Sequence, residues 1–99
     1  EVIPAAFIQD IKSQQGDPNW SDPAPSGYKP YYRSFWWGEG NPGGDISGYG
    51  IHGQFVRVAP EAGLVITMYS TWPRADGNGG THGWSPSLKL MDAMIAKFR

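Results

Sequence analysis

Cysteine is absent from the sequence, which excludes a disulfide framework, a thiolate nucleophile and any zinc site built on thiolates. Without thiols the redox compartment leaves no mark, so localisation, whether cytoplasmic or periplasmic and secreted, stays open. Long apolar runs are lacking too. None approaches the roughly 18 residues of a membrane-spanning helix, and no basic-then-apolar leader opens the sequence, so membrane insertion is not expected. Charge is scarce, at 17% of residues, and nearly balanced at a net −1. Lys and Arg are scattered rather than clustered, so no nucleic-acid footprint is expected. The sequence opens at Glu1, without methionine and almost inside a helical pattern, and is expected to be a truncated or processed part of a longer chain.

What the sequence holds in quantity is turn residues and aromatics. Fourteen glycines and nine prolines in 99 residues make much of the chain turn and loop. Five tryptophans and five tyrosines compensate for an apolar fraction of 39%, since each brings a large apolar face with a polar handle. They suit a core margin and a ligand-lined cleft equally well. A chain of this length forms one domain at most, and buries only about two-thirds of the surface its unfolded form exposes.

Residues 4–15 carry Phe7, Ile8 and Ile11 at helical spacing, with Pro4 suited to the first turn and Gly16 to the C-terminal cap. A short amphipathic helix is expected there. Residues 16–30 hold four prolines and no periodicity and read as a surface connector. Residues 31–37 (YYRSFWW) read as a strand that ends at the loop GEGNPGGD. Ile46 to Ile51 reads as a second, glycine-weakened strand, and Gln54 to Ala59 as a third, joined to it through His52-Gly53. Pro60 to Gly63 has the residues of a tight turn. Leu64 to Ser70 (LVITMYS) is apolar on both alternating faces, so it is expected in a sheet covered on both sides. A last helix, Ser85 to Phe98, has Ser85 as cap, Pro86 in its first turn and a stripe of Leu88, Met91, Ile95 and Phe98. The expected fold class is therefore α+β. An antiparallel sheet of about four strands (residues 31–71) is flanked by an N-terminal and a C-terminal helix (85–98) in a single domain portion, 1–99. Two short helices cover such a sheet thinly, so one edge and part of one face are expected to be completed by further polypeptide.

Two formal motifs are rejected for lack of context. Gly48-Tyr49-Gly50-Ile51-His52-Gly53 spells G-x-G-x-x-G, but a dinucleotide site needs a helix immediately afterwards and this one runs into a strand. Ser26-Gly27-Tyr28-Lys29 spells the S-x-x-K of serine β-lactamases. Pro23, Pro25, Gly27 and Pro30 oppose the rigid helix that would bring the amine to the hydroxyl. His52 and His82 have no acidic partner at ligand spacing, so neither a metal nor another cofactor is expected. The carboxylates Asp10, Asp17, Asp22, Glu39, Asp45, Glu61, Asp76 and Asp92 show no acid–base spacing and are read as surface groups.

The stretch 31–71 presents an aromatic strand with Trp36-Trp37, then Gly50-Ile51-His52-Gly53-Gln54, then a strand closing on Pro60-Glu61, then Gly63 and the apolar strand Leu64 to Ser70. In order and spacing it resembles the C-terminal segment of the β-lactamase and penicillin-binding-protein superfamily of serine hydrolases. Within that superfamily it is most similar to the nylon-oligomer (6-aminohexanoate-dimer) hydrolase branch of amidases and esterases. The resemblance implies a partial β-lactamase/transpeptidase-like fold and cleavage of a small-molecule amide or ester through an acyl-enzyme. It places Gly48-Tyr49-Gly50 where β-lactamases have Lys-Thr-Gly, and makes the backbone N–H of Ile51 an oxyanion-hole donor. Such a donor stabilises the tetrahedral intermediate by about 3 kcal/mol. Tyr49, Gly50 and His52 would contact substrate, with Trp36 or Trp37 shaping the pocket. No Lys-Thr-Gly is present, so nothing cationic awaits a β-lactam carboxylate. No Tyr-x-Asn occurs either, so the nucleophile and its base are expected in the missing N-terminal part of the same domain, and the chain alone is expected to be inactive. Two other readings stay open: a small aromatic-rich module that binds carbohydrate or another ligand, and a catalytically dead relative kept for interactions.

Overall fold

A computed structural model describes residues 2–13, 29–75 and 84–99 of the chain. In order, the elements are α1 (Ala5–Ile11), β1 (Tyr31–Arg33), β2 (Trp36–Gly38), β3 (Ile46–Gly50), β4 (Gln54–Ala59), β5 (Leu64–Met68) and α2 (Trp84–Phe98). The strands form one antiparallel sheet of five, each paired with its sequence neighbour. The architecture is α+β. The fifth strand arises because residues 31–37, expected as one strand, fold back on themselves. Ser34 and Phe35 both take positive φ, 53° and 70°, and Arg33 pairs with Trp36. Two left-handed residues in succession match the right-handed twist of the flanking strands. The usual Asn or Gly is absent, so the sequence gives no turn signal, and Phe35 is left 88% exposed.

Register sorts the side chains onto two faces. Tyr31, Gly38, Ile46, Val58 and Val65 form one cross-strand row, and Tyr32, Trp37, Ser47, Arg57 and Ile66 the next; successive rows point to opposite sides of the sheet. The second face carries the core. Phe55, Ala59 and Ile66 pack there against Met91 and Ile95 of α2, with Leu88 partly buried alongside. The expected stripe of α2 is thus the packed one, except that Phe98, at its end, is 60% exposed. Five rings step across this face: Tyr32 meets Trp37, Trp37 meets Tyr49, Tyr49 meets Phe55 and Phe55 meets Trp72, with centroids 4.8 to 6.0 Å apart.

Among the described residues the first face is tied to α1 through β1. The Tyr31 ring lies over Gly38, where an added Cβ would collide with it, and its hydroxyl donates to the Ile11 carbonyl at 2.8 Å. Arg33 closes the contact with a two-point bond to Asp10. Helix α1 is shorter than its pattern promised. It ends at Ile11 with Lys12 as cap, whereas the expected cap, Gly16, lies outside the described residues. Of its three apolar positions only Ile11 is buried; Phe7 and Ile8 are exposed. Strand β5 differs from expectation in the same sense. Ile66 is buried on the α2 side, but Val65 is 61% exposed, so among the described residues β5 is covered on one face only. Its outer edge likewise has no strand beside it among the described residues.

Candidate functional site

The β3–β4 connection is built from Ile51, His52 and Gly53, between the paired residues Gly50 and Gln54. His52 has φ 60° and Gly53 has φ 86°. The glycine is required twice over, because an added Cβ would also run into the Trp72 indole. As expected, the glycine triplet leads into a strand, β4, so no helix N-terminus stands where a pyrophosphate would need one.

Next to this turn the first face holds a depression of about 370 Å³, floored by Gly48 and Gly50 and walled by Gln54, Val56, Thr67 and Tyr69. The glycines keep the floor low. A Cβ at Gly48 would stand 2.9 Å from Val56 Cγ1, and one at Gly50 would stand 3.0 Å from Gln54 Cβ. Ile51 is 69% exposed, and nothing among the described residues accepts its N–H. His52 is held firmly by comparison. Its N–H donates to the Ala75 carbonyl and its carbonyl accepts the Trp72 N–H, both at 3.1 Å, while ring Nδ1 sits 2.7 Å from the Trp72 carbonyl oxygen.

The residues singled out from sequence therefore fall into two groups. Gly50 lines the depression, and Ile51 and His52 lie at the tip just past it. Tyr49 contributes backbone there, but its ring is on the opposite face, between Trp37 and Phe55. Trp37 shares that face, whereas Trp36 belongs to the row of Arg33 on the first face. Trp36, Trp37 and Trp72 are each half-buried, unlike the exposed stacking platforms a sugar site needs. Ser26 of the rejected S-x-x-K lies outside the described residues, as do Asp17, Asp22, Asp76 and His82. Among the described residues there is no group of three or more His, Asp or Glu that could hold a metal. Nor is any helix long and apolar enough to cross a membrane.

A polar network under the aromatic row is what sequence alone did not reveal. Arg57 is 3% exposed and gives its guanidinium to Glu39 at 2.9 Å, to Asp92 of α2 at 2.7 Å and to the Ser47 hydroxyl at 2.9 Å. Ser47 and Tyr49 both donate to the same Glu39 oxygen. Burial, and after it the Glu39 charge, push the Tyr49 phenol above its ordinary value, against lowering bonds to Ser47 and Arg57. Among the carboxylates read as surface groups, Asp45 is corrected to buried and Glu39 to half-buried, whereas Asp92 stays exposed and Asp10 partly so, each paired with an arginine. Glu39 and Asp92 neutralise a buried arginine, Asp10 pairs with Arg33, and Asp45, 3% exposed, bonds Asn41 and Arg99. A signal existed in the strand parity. Arg57 shares its side of QFVRVA with Phe55 and Ala59, and a buried guanidinium demands acidic partners.

Comparison with known proteins bears on part of the chain. Over 45 residues, 46% of its length, it is 44% identical to the 6-aminohexanoate-dimer hydrolase of Paenarthrobacter ureafaciens, of which the match covers 12%. No protein-family model matches the chain, and no solved structure does. Through that stretch the chain is related to a hydrolase, and it corresponds to a small fraction of that relative's length.

Proposed function

We propose that this chain is the oxyanion-side segment of a serine acyl hydrolase that cleaves a small amide or ester. Acyl transfer through a serine places negative charge on the former carbonyl oxygen, and the catalyst must meet that charge with a donor already in position. The observation that carries the reading is the Ile51 N–H. It is unclaimed among the described residues, at the end of a glycine-floored depression, on a turn whose next residue is fixed by its N–H, its carbonyl and its ring. In this reading Gly50 and His52 border the substrate, and the nucleophile, its base and a second donor come from polypeptide outside these 99 residues. That polypeptide would belong to the same domain and would cover the open part of the first face and the free edge of β5. The chain alone is then inert.

The test removes the donor and little else. Ile51 is not among the positive-φ residues and Gly50 before it lies in β3, so Ile51→Pro deletes the N–H without placing proline at a left-handed position. In the natural protein at its full length, kcat for a small acyl ester should fall about 100-fold or more, with the circular dichroism spectrum preserved. Undiminished turnover would remove the basis of the proposal.

A further inference from the structure

Building on that reading of Ile51, the geometry points to Gln54 and His52 as positioning residues: together they latch the β3–β4 turn onto residues 70–75 and hold the Ile51 N–H in place. A non-glycine residue at φ 60°, as His52 is, takes a sparsely populated geometry that bonds to its neighbours can hold. Here they do. The β4–β5 ladder ends at the pair Phe55 and Met68, and beyond it the Gln54 side chain takes over the role of a strand. Its Nε2 donates to the Ser70 carbonyl at 2.6 Å and its Oε1 accepts the Ser70 N–H at 3.4 Å, so a primary amide pairs with a backbone peptide as another peptide would. The same Nε2 donates to the His52 carbonyl at 3.2 Å, which also accepts the Trp72 N–H.

The imidazole completes the latch. Its Nδ1 lies 2.7 Å from the Trp72 carbonyl oxygen, and a carbonyl has no proton to offer, so Nδ1 carries the hydrogen. Every polar backbone group of His52 is thereby engaged, whereas the N–H of the residue before it is open. An ordinary hairpin tip does not need bonds of this number. A donor that must await a developing charge without reorganising does.

Two variants separate this role from plain stability. Gln54→Glu keeps the shape but replaces the donor by a second acceptor facing two carbonyls, and Gln54→Met removes the bonds without adding charge. In both, amide hydrogen exchange at His52 and Trp72, whose N–H groups are bonded across the latch, should accelerate about tenfold, while exchange at Ser47 and Arg57 in the ladder stays within about twofold. In the full-length protein kcat on a p-nitrophenyl acyl ester should fall about tenfold with KM nearly constant. NMR of the unmodified protein should show the Nδ1–H tautomer of His52. An Nε2–H tautomer, unchanged exchange at the tip, or exchange that rises uniformly through β3 and β4 would overturn the latch. Faster tip exchange with unaltered kcat would reduce it to a structural clamp and overturn the positioning role. An unmodified full-length protein that hydrolyses no acyl ester would instead defeat the functional reading itself, and with it the positioning role, while the exchange and tautomer data still decide whether the latch exists.

Discussion

Arg57 is the residue on which the helix-covered face of the sheet turns, since it joins β4 to the loop after β2 through Glu39 and to α2 through Asp92. Its burial is asymmetric. The guanidinium side chain is 3% exposed, but the carboxylates it holds are 30% and 68% exposed, so deleting the cation leaves charges that water can still reach. Arg57→Met is therefore expected to destabilise the chain by about 2 kcal/mol, below the 3 to 5 typical of a wholly buried pair. Adding Glu39→Gln should recover part of the loss, as a double-mutant cycle followed by urea unfolding would measure. At this scale the sequence was half legible. Gly53 and Gly63, both at positive φ, were marked by residue type. The arginine network was not, because its members lie far apart in the chain and only the parity of β4 brings them to one face.

At the scale of elements, β4 was readable to the residue because QFVRVA alternates cleanly. The hairpin at Ser34-Phe35 was not, because both residues adopt left-handed geometry without the side chains that usually announce it. The C-terminal helix was placed within one residue by Pro86 and its apolar stripe. Helix α1 was overextended, since the apolar period of residues 4–15 describes spacing and cannot tell whether a partner surface covers Phe7 and Ile8. The turn between β3 and β4 carries its own prediction. Gly53→Ala meets both the positive φ and the Trp72 ring, so it should destabilise by more than the roughly 1 kcal/mol of a left-handed alanine alone. The shift in thermal midpoint should come with a change in tryptophan fluorescence, since the indole must move.

For the molecule as a whole, the decisive property is that, among the described residues, one side of the sheet is covered along β5 and the other is not. Helix α2 closes the second face, whereas Val65, Thr67 and Tyr69 leave the first open along β5, whose outer edge is also free among the described residues. An exposed apolar strand at a free edge invites pairing with other chains. The isolated chain should therefore associate as its concentration rises, and Val65→Lys, which places a charge on that open face, should shift it toward monomer in light-scattering chromatography. The degree of completeness of this sheet was legible only as an expectation, from two helices being few for strands so apolar on both sides.

The meander order of the strands also governs how the chain reaches its shape. Because every strand pairs with its immediate successor, each added hairpin closes only a short loop, and no pairing has to wait for a distant partner. Sheets assembled this way have low relative contact order and form quickly. Strands β1 to β5 can zip in succession into a template, onto which α2 and any later-arriving surface then dock.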